Sequence, residues 1–192
     1  MDSTTEVVLK RLEETQNDFW NVARSTGNFL NMLIKISGAK NAVEIGTSNG
    51  YSGIWLAKAL KENGGHLTTI EFYEKRKVLA EENFKTCGLS DVITTKEGSA
   101  IGILERLPEE EVFDFVFIDA NKGQYIDYYN LLDKHIPKGG IITADNVTSH
   151  APKVKPFLDA IAGNPNYQSE ILDLPAGLLV AVKIAWLWTM KL

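Results

Sequence analysis

Residues 44–53 read E-I-G-T-S-N-G-Y-S-G, a glycine-rich turn set between an apolar run starting at Ala42 and a helical pattern starting at Tyr51. Glycine lets the backbone reverse tightly and lets a ligand approach where a Cβ would stand in the way. A turn of this composition therefore joins a strand to a helix beside a binding site. Outward from it, short apolar runs alternate with helical stretches. The runs predict strands over residues 42–45, 67–71, 92–96, 113–119 and 140–145, with helices over 51–61, 73–87, 100–107, 125–135 and 154–162. Strand and helix alternating at this period imply right-handed crossovers and a parallel sheet covered on both faces. Residues 167–172 and 178–184 are two further strands separated by too few residues for a crossover helix, so they pair antiparallel. Before the first strand, residues 1–38 carry helical spacing with Ser and Asn breaks, read as two or three helices.

The chain has 192 residues, net charge −5, 44% hydrophobic residues, 23% charged residues and one cysteine. That length suits a single domain that buries about 70% of its unfolded surface. A disordered or collagen-like chain is excluded. The acidic balance gives no general attraction to phosphate backbones or anionic lipid. Cys87 alone closes no internal disulfide, the first residues lack an apolar signal core, and no apolar run reaches the ~20 residues of a membrane span. A soluble, cytoplasmic protein is expected, with residues 1–40 as a helical cover, 41–184 as the core and 185–192 as an apolar tail.

Gly46, Gly50 and Gly53 do not match the G-x-G-x-x-G spacing of dinucleotide loops, because Ser48 stands where the second glycine belongs. Glu44, just before the turn, would repel a diphosphate but suits a cationic ligand with an amino group. S-adenosylmethionine has an ammonium and a sulfonium. Glu71 ends the second strand, where a carboxylate can accept both ribose hydroxyls of an adenosine ligand.

The fourth strand ends in F-I-D-A-N-K, giving Asp119 and Lys122, and the fifth in A-D-N, giving Asp145 and Asn146. On adjacent strands ~4.8 Å apart, the two carboxylates can share one ion. An all-oxygen set of Asp, Asp and Asn selects a hard divalent cation, Mg²⁺ first, with Mn²⁺ or Ca²⁺ as alternatives. Zinc is disfavoured, since neither segment holds His or Cys. A cation there eases proton loss from a bound hydroxyl and disfavours the ammonium form of a neighbouring amine, which makes Lys122 a candidate base.

Together, E-I-G-T-S-N-G-Y-S, Glu71, G-S-A at 98–100, F-I-D-A-N-K and A-D-N resemble the divalent-cation-dependent O-methyltransferases, the catechol and caffeoyl-CoA O-methyltransferases among them. The resemblance runs from about residue 23 to residue 183. It implies a Rossmann-like class I methyltransferase fold, with a seven-stranded, mostly parallel sheet ending in an antiparallel hairpin and helices on both faces. It also implies that Glu44, Gly46, Thr47 and Ser52 hold the methionine part of S-adenosylmethionine, Glu71 the ribose and Ala100 the adenine edge, with Val22 and Asp119 also at the cofactor. Asp119, Asp145 and Asn146 are then the metal ligands, and Lys122 is the general base. The implied acceptor is an aromatic vicinal diol. Three departures bear on that acceptor: Ala120 and Asn121 carry no bulky aromatic, the segment after Asn146 lacks the longer insertion of the plant caffeoyl-CoA enzymes, and the turn before the last strand reads L-P-A-G-L where relatives often carry an acid.

Alternative readings are the same chemistry on hydroxylated uridine in tRNA, an NAD-linked oxidoreductase, and a non-catalytic adenosine-binding protein. The basic cluster Lys75, Arg76 and Lys77 is expected away from the metal site, which weighs against RNA. His66 and His135 carry no ligand spacing, and only His150 is expected near the pocket rim. Trp20 and Trp55 read as core residues. The tail residues Trp186, Leu187, Trp188 and Met190 are expected to pack on the N-terminal helices or a second subunit, making a homodimer the expected assembly.

Overall fold

The structure, a computed structural model, describes residues 1–185. Three helices come first: α1 (Ser3–Glu14), α2 (Gln16–Phe19) and α3 (Arg24–Ser37). Then follow β1 (Asn41–Ile45), α4 (Tyr51–Glu62), β2 (His66–Glu71), α5 (Glu74–Thr86), β3 (Ile93–Glu97), α6 (Ala100–Leu104) and β4 (Phe115–Ile118). A short 3₁₀ turn leads into α7 (Tyr125–Leu132), and β5 (Ile141–Ala144), α8 (Ala151–Gly163), β6 (Tyr167–Leu172) and β7 (Leu178–Lys183) complete the described chain.

The seven strands lie in the order β3-β2-β1-β4-β5-β7-β6. Every pairing from β3 to β5 is parallel, whereas β7 runs antiparallel to both β5 and β6. This is the expected doubly wound sheet with its terminal hairpin. Alternate residues of the central strands feed two separate cores. Ala42, Leu67, Phe115 and Phe117 pack on one face with α1, α3, α4 and α5. Val43, Ile45, Val116 and Ile118 pack on the other with α6, α7 and α8. Burial on both faces is why β4 reads as an unbroken apolar run, Phe115 to Ile118. The hairpin strand β6 alternates instead, because its outer face meets solvent.

Strand order reverses between β1 and β4, and such sheets hold ligands at the carboxyl ends flanking that point. The residues that leave those two ends are Gly46 and Asp119.

Some boundaries differ from the sequence reading. Helix α8 starts at residue 151, three residues earlier than expected, because Pro152 occupies its first turn, where a missing N–H costs nothing. Helix α6 stops at Leu104, short of residue 107. The helix expected over 125–135 changes to a 3₁₀ turn at Asp133–His135. The tail residues Trp186, Leu187, Trp188 and Met190 lie outside the described residues. No described helix is long and apolar enough to cross a membrane.

Candidate active site

Gly46 sets the floor of the site. Its φ is +105°, and a Cβ there would stand 2.2 Å from the Asp119 carbonyl oxygen, so only glycine lets the β1 turn close against the end of β4. Ser48 follows in the left-handed region at φ +51°. That conformation aims its N–H at Glu71 Oε2 (2.8 Å), while its hydroxyl donates to the Phe19 carbonyl (2.9 Å) and ties the N-terminal segment to the turn. Glu71 Oε1 accepts the Tyr73 N–H at 2.9 Å. The carboxylate is thus oriented by two backbone donors, with further lone pairs open for a ligand.

Glu44 is fully buried on the same sheet face as Thr69, its register partner on β2. Ser52 Oγ donates to Glu44 Oε1 and Thr69 Oγ1 to Oε2, both at 2.6 Å, and Thr47 Oγ1 meets Thr69 Oγ1 at 2.5 Å. Burial pushes the Glu44 carboxyl up to about 7, the two hydroxyls pull it back in part, and the charges of Asp119 and Glu71 push it further up. Glu44 and Thr47 stand behind the wall of the cleft and Ser52 forms its surface.

The cleft has a volume of about 510 Å³, and Val22, Gly46, Ser52, Glu71, Ala100 and Asp119 line it. Of the expected cofactor residues, these six meet in one cavity. The cleft also includes residues that the sequence did not assign to the cofactor: Ser48, Phe72, Tyr73 and Arg76. Ser48 had a usable signal, since it sits between two glycines at a turn position that demands positive φ.

At the metal-side end, Asp119 follows β4 and Asp145 follows β5. Ile118 and Ala144 are register partners, so the two acids leave the sheet side by side. Lys122 Nζ donates to Asp119 Oδ1 at 2.6 Å. Burial holds the Asp119 carboxyl above the usual carboxylate range, and Lys122 opposes that rise. Asp145 is 3% exposed, its Oδ1 is buried without a hydrogen-bond partner, and burial plus the charge of Asp119 push its carboxyl up to about 7. An orphaned carboxylate oxygen beside a second acid is costly unless a cation answers it. Asn146 adopts φ +63°, outside the strand, and lines a second cleft of about 460 Å³. No cluster of three or more His, Cys, Asp or Glu side chains placed to hold a metal ion occurs among the described residues.

The second cleft adjoins the first, sharing Trp20, Asn21, Ala120, Asn121 and Lys122, and His150 stands on its rim as expected. Trp20 corrects the sequence reading: it is 73% exposed at φ +54°, not in the core, whereas Trp55 is buried. The guanidinium of Arg76 stacks over Phe19, Trp20 and Tyr73 at 5.0–5.9 Å from the ring centroids, on the rim of the first cleft, and Arg76 does not line the second cleft, where Asn146 lies. His135 is buried and joined to the Glu111 carbonyl, and His66 meets Thr94, so neither belongs to the site.

Residues 2–162 match the O-methyltransferase family, and the chain belongs to that family. It is 41% identical over 128 residues to a catechol O-methyltransferase of Niastella koreensis, covering 66% of this chain and 58% of that protein. It is 35% identical over 155 residues to caffeoyl-CoA O-methyltransferase 1 of Eucalyptus globulus, covering 77% of this chain and 63% of that protein. The chain thus spans about three fifths of the length of these curated relatives. Among solved structures, the O-methyltransferase of Bacillus cereus in complex with SAH superposes with a TM-score of 0.83 at 34% identity, covering 95% of this chain and 91% of that one.

Proposed function

We propose that the protein transfers a methyl group from S-adenosylmethionine to a hydroxyl of a catechol-like aromatic diol, with a divalent cation held by Asp119, Asp145 and Asn146. The observation that carries this reading is the unanswered oxygen of Asp145, which leaves the sheet beside Asp119, the acid that lines the first cleft together with Lys122. Family membership and the SAH complex of the Bacillus cereus relative support the choice of methyl donor.

The larger cleft suits the donor. Glu71, oriented by the Ser48 and Tyr73 N–H groups, accepts the ribose hydroxyls, and Ala100 borders the adenine. Ser52, backed by Glu44, faces the methionine part, and the buried carboxylate behind it favours the ammonium end of the ligand. When bound, the cation lowers the pKa of an acceptor hydroxyl, and the sulfonium offers its methyl as electrophile. Lys122 receives the hydroxyl proton at Nζ. Trp20 and Asn21, shared by both clefts, keep donor and acceptor in one line of approach and limit water between them.

The test is methyl transfer from labelled S-adenosylmethionine to catechol with Mg²⁺, repeated in EDTA. Methylcatechol forms with Mg²⁺ and stops in EDTA on this reading. An undiminished rate in EDTA removes the metal, and label appearing only in undermodified tRNA replaces the acceptor.

A further inference from the structure

The second cleft has a charge character that the chemistry above does not use. Its lining holds Lys122, Lys153 and His150, five side-chain amides and Trp20, with no carboxylate among them. In a chain of net charge −5 such a surface runs against the background. Lys122 is committed to Asp119. On α8, Lys155 is committed to Asp159 at 2.6 Å, whereas Lys153, facing the cleft two residues earlier, forms no ion pair among the described residues.

We infer that the acceptor carries a carboxylate set away from its reacting hydroxyl, and that Lys153, with His150 beside it, receives that carboxylate. One uncommitted lysine matches one negative charge. A phosphate monoester carries nearly two and is met by arginine forks, none of which lines this cleft. Lys153 is a specificity-determining residue, acting on acceptor affinity and not on the methyl-transfer step. The inference rests on the methyl-transfer reading above and deepens it by naming the acceptor class.

The experiment compares three acceptors with the Mg²⁺-loaded enzyme: 3,4-dihydroxyphenylacetate, the neutral 4-methylcatechol and the cationic dopamine. The acid is expected to have a kcat/KM about two- to fivefold above the neutral catechol, with dopamine below both, and the difference lying in KM; a solvent-exposed charge pair is worth about that much. Lys153→Met should lower kcat/KM for the acid several-fold more than for 4-methylcatechol, and Lys153→Arg should restore the preference. Equal use of all three acceptors, or a preference that survives Lys153→Met, overturns the inference while leaving methyl transfer standing. Failure to methylate any of the three ends the catechol reading and this inference with it.

Discussion

Asp119 and Asp145 leave adjacent parallel strands at the same level of the sheet, yet only one of them is answered: Lys122 donates to Asp119, and Asp145 Oδ1 is buried with no partner. That asymmetry is the observation on which the proposed cation between the two acids rests. A cation bridging both acids would supply the missing partner and leave Lys122 able to take a proton.

Replacing Lys122 by Met should lower kcat for catechol methylation by about 10²–10⁴, the usual contribution of a positioned base, while affinity for S-adenosylhomocysteine changes by less than about threefold. Steady-state kinetics and calorimetry on one preparation check both halves. A kcat near wild type would remove Lys122 from proton transfer.

Glu71→Gln keeps the side chain's shape but sets an amide NH₂ against one of two backbone donors, Ser48 N–H or Tyr73 N–H. Losing a charge-assisted hydrogen bond costs about 1.5–3 kcal/mol, so affinity for S-adenosylhomocysteine should fall by roughly 10- to 100-fold. Titration calorimetry measures it directly.

Gly46→Ala puts a methyl group 2.2 Å from the Asp119 carbonyl oxygen at a φ of +105°. Strain and displacement together should cost about 2–4 kcal/mol, lowering Tm on the order of 10 °C. Gly163→Ala, where a Cβ meets nothing within 4 Å and φ is ordinary, should be neutral or stabilise by up to about 1 kcal/mol. Equal Tm values for the two variants would contradict the close approach of β1 and β4.

Burial raises the Glu44 carboxyl to about 7 from an ordinary value of 4.5. Between those two values the folded protein binds more protons than the unfolded chain, so stability is greatest below pH 4.5 on this account and falls as pH rises to about 7. Asp145, also raised to about 7, acts in the same direction in metal-free protein. Glu44→Gln should therefore flatten the decline in unfolding free energy between pH 5 and 7.5, read from denaturant titrations, by a few kcal/mol at most. An unchanged slope would mean that Glu44 stays ionised when buried.

The strands β4 and β5 were legible because they are buried on both faces: Phe115 to Ile118 is wholly apolar, Ile141 to Ala144 is apolar but for Thr143, whose hydroxyl is answered by the Val116 carbonyl, and each is followed by its acid. The hairpin was legible from its short connection. Less visible was the hydroxyl pair that holds Glu44, because Ser52 and Thr69 lie 8 and 25 positions away and only the register of β1 with β2 joins them. Trp20 was misread because a large aromatic usually marks a core, and here it borders two clefts from a break between helices. The place of Arg76 was hidden for the same reason: its stacking partners Phe19 and Trp20 come from a segment more than fifty residues earlier.

The most direct test of the account is titration of Mn²⁺ into EDTA-stripped protein, followed by the free-ion electron paramagnetic resonance signal, for the wild type and Asp145→Ala. The account predicts one site per chain in the wild type, and at least about 100-fold weaker binding in the variant, since loss of a partner one shell further from the metal already costs about 10- to 100-fold. Equal binding by both proteins, or none by the wild type, would contradict a divalent cation held between Asp119 and Asp145.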